Sequence, residues 1–167
     1  MTRAPFIVSA LALVACGGSD LPRDGAWVSE AAVVDTNSCV ITPEEAGIPT
    51  LTGFNLERDL DGSFTLVPMD GSDDPVEYDC DLLLGEMTCD IERFDIPLGP
   101  TSLRFRLTLV GDFETRRATL RQVAEGDCEG TGCVVAKNKL ETEFPCTIDV
   151  SYESKWDSDD LGPLGEE

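Results

Sequence analysis

Polar and apolar side chains alternate from Val76 to Glu92, and this period of two constrains the fold more than any other feature of the chain. With a two-residue turn at Leu84-Gly85, one face holds Val76, Tyr78, Cys80, Leu82, Met87, Cys89 and Ile91. The other holds Glu77, Asp79, Asp81, Glu86, Thr88, Asp90 and Glu92. An amphipathic helix repeats every three to four residues, so the pattern describes a half-buried hairpin instead. The turn sets Cys80 against Cys89, Leu82 against Met87 and Tyr78 against Ile91. It also sets Asp79 against Asp90 and Glu77 against Glu92, and like charges directly opposed destabilise a sheet. A neighbouring strand offers relief. Leu103, Phe105, Leu107 and Leu109 alternate with Arg104, Arg106 and Thr108, so pairing beside 86–93 lays arginines on the acidic face. Arg116, Arg117 and Arg121 follow closely, which gives 104–121 a basic bias in an acidic chain.

The same period recurs elsewhere. Phe54, Leu56, Phe64 and Leu66 share one face if Leu60-Asp61-Gly62 forms a three-residue hairpin loop with Gly62 in the left-handed region. Leu56 then faces Leu66. Cys146, Ile148, Val150 and Tyr152 share a face of a final strand over 146–153. Strands are also expected at 26–34 and 115–124. Residues 35–50 and 128–143 carry no single signal, although 136–143 fits a helical turn or two. The sum is an all-β antiparallel meander of about eight strands. Open sheet edges invite aggregation, and closing the sheet into a barrel removes them. A barrel of that size is filled by its side chains or holds one small ligand. The inward residues that would line such a cavity are Phe54, Leu56, Phe64, Leu66, Tyr78, Leu82, Phe105 and Leu107.

The N-terminus carries an address. Arg3 precedes an apolar run from Phe6 to Val14, interrupted only by Ser9. The run is far shorter than the ~20 residues of a membrane-spanning helix and has the length of a signal-peptide core. It ends in Leu13-Val14-Ala15-Cys16, which resembles the lipobox of bacterial lipoproteins. The resemblance implies cleavage before Cys16 and acylation of that cysteine as the mature N-terminus. Gly17, rather than Asp, follows Cys16, and in the sorting pattern of Gram-negative lipoproteins this implies the outer membrane. Each buried acyl CH₂ contributes about 0.8 kcal/mol, so several chains give a stable anchor. The expected organisation is a signal peptide at 1–15, lipidated Cys16 with a short tether at 16–24, a β domain at 25–154 and an acidic, loose tail at 155–167.

Removing Cys16 leaves Cys39, Cys80, Cys89, Cys128, Cys133 and Cys146. An even number of cysteines in an oxidising compartment predicts three disulfides, with fifteen connectivities open. Local spacing favours Cys80 with Cys89 across the hairpin and Cys128 with Cys133 around a short loop. That choice leaves Cys39 with Cys146. No C-x-x-C pair argues for redox or zinc chemistry.

Gly25-Ala26-Trp27 opens the first strand. Gly-x-Trp at that place in an eight-stranded meander resembles lipocalins and related barrels, including lipocalin-like lipoproteins of bacteria. The resemblance implies that Trp27 closes one end of the barrel under a basic side chain near the last strand, for which Lys155 is the nearest candidate. The family's middle Thr-Asp-Tyr motif is absent. The alternative is a tryptophan that merely anchors the core.

Composition narrows the function. The net charge of −21 opposes binding to nucleic-acid phosphates. The chain has no histidine, which removes Ser-His-Asp and Cys-His catalysis and imidazole metal sites. Asp59-x-Asp61-Gly62 and Asp70-Gly71-Ser72-Asp73-Asp74 read as turns rather than calcium loops. No nucleophile elbow or phosphate-cradling loop is present. No metal and no cofactor is therefore expected. The sequence points to a non-catalytic outer-membrane lipoprotein that holds a small apolar ligand. The alternative is a filled-core module that meets another envelope protein through its surface. A third reading, an envelope enzyme or an inhibitor presenting the 128–133 loop, has no supporting residue.

Overall fold

The computed structural model describes residues 21–71, 75–90 and 92–159. Three strands organise the molecule because they are twice as long as the rest. They are β8 (Thr101–Phe113), β9 (Arg117–Gly130) and β10 (Cys146–Ser158). β8 and β10 can therefore each pair with two shorter strands placed end to end, while β9 lies between them. β1 (Gly25–Ser29) and β2 (Val33–Asn37) both lie along β10. β6 (Glu86–Cys89) and β7 (Glu92–Leu98) both lie along β8. The remaining strands are β3 (Gly53–Arg58), β4 (Phe64–Pro68) and β5 (Tyr78–Leu83).

Eight strands close a ring in the order β1-β3-β4-β5-β6-β8-β9-β10, and β10 pairs back onto β1. The fold is thus a closed antiparallel eight-stranded β-barrel. Two strands lie outside the ring. β7 and β2 flank the far halves of β8, β9 and β10, so the wall continues past the ring as a five-stranded extension. The expected single strand at 26–34 is two strands, because the chain breaks at 30–32 between its ring and extension partners.

The expected hairpins form in their expected registers. Leu56 faces Leu66, and Gly62 takes φ +95° in the loop between them. Cys80 faces Cys89, and Leu82 faces Met87. The ladder reaches Asp90, whose N–H donates to the Asp79 carbonyl. Beyond that it departs from the expectation, since Glu92 pairs with Leu107 of β8 and not with Glu77. Ile91 lies outside the described residues. The helical signal resolves as α1 (Cys133–Leu140), earlier than the expected 136–143. The last strand continues through Ser158, beyond the expected domain boundary at 154 and into the segment expected to be a loose tail. Its end is held because Trp156 packs between the guanidinium groups of Arg23 and Arg116.

Apolar residues at alternate positions of β8, β9 and β10 point inward and form one core with Trp27, Phe54, Leu56, Phe64 and Leu66. The β8–β9 approach is close where the extension begins. A Cβ on Gly126 would sit 2.7 Å from the Phe105 ring and 2.9 Å from Cys146 Sγ, so only glycine fits there unmoved. All three disulfides join the pairs that spacing favoured: Cys39–Cys146, Cys80–Cys89 and Cys128–Cys133.

Candidate functional site

The eight side chains read as cavity lining all turn inward, but they do not form one chamber. Phe54, Leu56, Phe64, Leu66, Tyr78 and Leu82 belong to ring strands. Phe105 and Leu107 sit on the extension, where β8 has left β6 for β7. Leu82 is half-buried near the end of β5, and the other seven are at most 2% exposed. The ring side chains among them are packed with no water-sized space beside them, whereas Phe105 also lines the cleft described below.

Residues 38–52 occupy the space that the extension would otherwise leave open. Cys39, Ala46, Ile48 and Leu51 from this segment are all buried. The segment is shaped by Thr42-Pro43-Glu44-Glu45. Thr42 Oγ1 accepts from the Glu45 N–H at 3.2 Å, and Glu45 Oε2 accepts from the Thr42 N–H at 2.8 Å. This is the reciprocal bonding of a capping box, with proline at the first helical position. A single turn follows, in which Ala46 N–H donates to the Thr42 carbonyl. The Thr-x-x-Glu spacing was the sequence signal that this stretch has structure. Its role as a plug was missed because period-two analysis passes over it.

Polar groups inside the barrel tie the plug down. Gln122 Nε2 donates to the Pro49 carbonyl at 3.1 Å and to Tyr78 Oη at 3.3 Å. Tyr152 Oη donates to Gln122 Oε1 at 3.1 Å. The backbone of Leu51 also bonds to Tyr152. Burial pushes both phenol pKa values upward, against the smaller opposing effect of these hydrogen bonds. The Cys39–Cys146 disulfide and a hydrogen bond from Thr142 Oγ1 to the Cys39 carbonyl anchor the other end of the plug.

A cleft lies on the outer side of the extension, and its lining includes Phe94, Phe105 and Cys146. It has a volume of about 870 Å³, and its charged rim includes Arg93, Asp95, Arg104, Arg106, Glu125 and Asp127. Arg104 pairs with Asp95 at 3.2 Å and with Glu129. Arg104 of β8 thus relieves acidic neighbours on β7 and β9, rather than the acids of 77–90. Arg106 lies opposite Arg93 on one side and Glu125 on the other. An apolar cleft of about 370 Å³ lies between α1 and Pro100-Thr101. There Thr101 Oγ1 is buried without a hydrogen-bond partner among the described residues.

Trp27 is fully buried, stacked on Phe54 at 5.8 Å and edge-on to Phe113 at 5.5 Å. Lys155 does not cover it. Residue 155 points outward by strand parity and pairs with Glu30 at 2.8 Å, which lowers the Glu30 pKa. The tryptophan that lies under basic side chains is Trp156. Asp59 and Asp61 act as turn residues. Asp61 accepts from the Ser63 N–H and hydroxyl, which lowers its pKa, and Asp59 accepts from Thr65. Asp73, Asp74 and the lipidation candidate Cys16 lie outside the described residues. No helix among the described residues is long and apolar enough to cross a membrane. Comparison with family models, curated proteins and solved structures finds no match to this chain.

Proposed function

We propose that this chain is a lipid-anchored binding module of the bacterial cell envelope, held at the outer membrane through Cys16, which works through its outer surface and catalyses no reaction. The supporting observation is the plugged interior. Segment 38–52 fills the extension, and the ring side chains leave no water-sized space beside them. The surface that remains for recognition is the cleft on the extension, where carboxylates and arginines interleave. Such a surface suits a second envelope protein with a matching charge pattern, through contacts that weaken with salt. The non-catalytic reading rests on the lack of histidine and on the two inward phenols, whose pKa values burial raises further above neutrality. Kinship with lipocalin-like lipoproteins belongs to the same reading and draws on Gly25-Ala26-Trp27 at the start of β1.

A small apolar ligand inside the barrel remains the second reading, favoured by the apolar character of the inward face. It requires Ala46, Ile48 and Leu51 to vacate the core. Native mass spectrometry of the mature protein, purified from its own host, separates the two. The surface reading expects acyl mass on Cys16, six hydrogens lost to three disulfides, and no stoichiometric small-molecule adduct. A tightly held apolar adduct sinks the surface reading in favour of the interior one. An unmodified Cys16 removes the anchor.

A further inference from the structure

The end of the barrel where the chain begins carries an unusual set of side chains. The registers place the Asp59–Gly62, Leu84-Gly85 and Glu114–Arg116 turns at that same end, together with Gly25 and the close of β10. Two of the three turns present a fully exposed leucine at the tip, Leu60 at 111% and Leu84 at 100%. Leu84 takes φ +56°, a backbone conformation suited to Asn, Asp or Gly and costly for a bulky residue. Its side chain is fully exposed, so no packing among the described residues offsets that cost. The third turn presents Arg116. Between the turns lies Trp156, partly exposed, with Arg116 on one side at 4.9 Å and Arg23 on the other at 4.8 Å. Its indole N–H donates to the Asp24 carbonyl. Leu83, also strongly exposed, adjoins the Leu84 tip, whereas Val40, Val134 and Val135 lie toward the opposite end.

We infer that this end is a membrane-docking face: Leu60 and Leu84 insert into the bilayer interface, and Trp156 with Arg23 and Arg116 sits at the headgroup level. The inference rests on acylation of Cys16. Only five residue steps separate Cys16 from Leu21, a span of at most about 18 Å when fully extended. An anchor that short holds this end, and no other, against the lipid surface. Tryptophan favours the headgroup region because its body is apolar and its N–H is polar, and arginine reaches the phosphates from an apolar stem. The carboxylates of Asp59, Asp61, Glu86 and Glu114 share the face, so the matching surface is a zwitterionic bilayer rather than an anionic one.

The test uses the full acylated protein in phosphatidylcholine vesicles, with and without brominated acyl chains. The chain has two tryptophans, and Trp27 is fully buried. Bromolipid is expected to quench the emission of Trp156. Trp156→Phe should abolish the quenching. Leu60→Asp with Leu84→Asp should reduce it sharply while circular dichroism and the three disulfides stay unchanged. Replacing part of the phosphatidylcholine with phosphatidylglycerol at low salt should also reduce it. Acyl mass on Cys16 is read from the same sample. An acylated protein with unquenched tryptophan, or with quenching indifferent to the leucine substitutions, overturns the docking face and leaves the anchor standing; the exposed tips would then belong to a protein partner. A protein without acyl mass overturns both.

Discussion

Tyr78 and Tyr152, the only tyrosines of the chain, point into the barrel and meet at Gln122. Burial raises both phenol pKa values above those of the unfolded chain. The folded state therefore binds these protons more tightly. Its stability is fully present below the ordinary tyrosine value of about 10 and is lost as pH rises through the folded values. Tyrosinate absorbance should consequently stay silent through that value and appear only together with loss of the near-ultraviolet circular dichroism. A normal titration in the folded protein would contradict this. Neither phenol could be marked as special from sequence, because strand parity tells which way a side chain points and not what it meets.

At the scale of elements, the plug and its staple carry the most consequence. Cys39 and Cys146 are 107 residues apart, and a bridge closing a loop of that length stabilises by a few kcal/mol, ~2–5 on removal. It also ties segment 38–52 to the start of β10. Replacing both cysteines with alanine should lower stability to denaturant by about that amount. It should also open the interior to an apolar fluorescent probe that the native protein excludes. The local bridges, Cys80–Cys89 and Cys128–Cys133, close much shorter loops, so their loss should cost less. If removing either local bridge costs more than removing Cys39–Cys146, tying segment 38–52 to β10 is not what the long-range bridge contributes to stability.

Across the whole molecule, charge opposes compactness. The chain carries a net charge of −21, the inner face of the barrel is apolar, and few of the acids among the described residues pair with a cation. Self-repulsion of that kind is screened by salt. The midpoint of thermal unfolding should therefore rise as sodium chloride increases from low millimolar toward physiological strength. A midpoint that falls would mean that cross-strand ion pairs such as Arg104 with Asp95 and Arg121 with Asp149 outweigh the repulsion. The two effects have opposite signs, so one titration decides which dominates.

The sequence by itself determined what depends on neighbours along the chain. Alternation assigned the inward faces of β3 through β6, and turn chemistry at Leu60-Asp61-Gly62 and Leu84-Gly85 set the registers that brought Leu56 to Leu66 and Cys80 to Cys89. Pairing the two local cysteine pairs left Cys39 for Cys146. Only the tertiary structure decided how the long strands were shared. Period two is the same whether β8 pairs with one strand or with β6 and β7 in turn, so the change of strand between Cys89 and Glu92 and the five-stranded extension left no mark in the pattern. Nor could the pattern say whether the barrel was hollow. A segment without periodicity, 38–52, supplies the side chains that fill it, and its position follows from a disulfide and from Gln122, both reached across the fold. Trp156 lay in a stretch that reads as acidic tail; it became part of the end of β10 because that strand pairs with β1 and because Arg23 and Arg116, far apart in sequence, both lie over its ring.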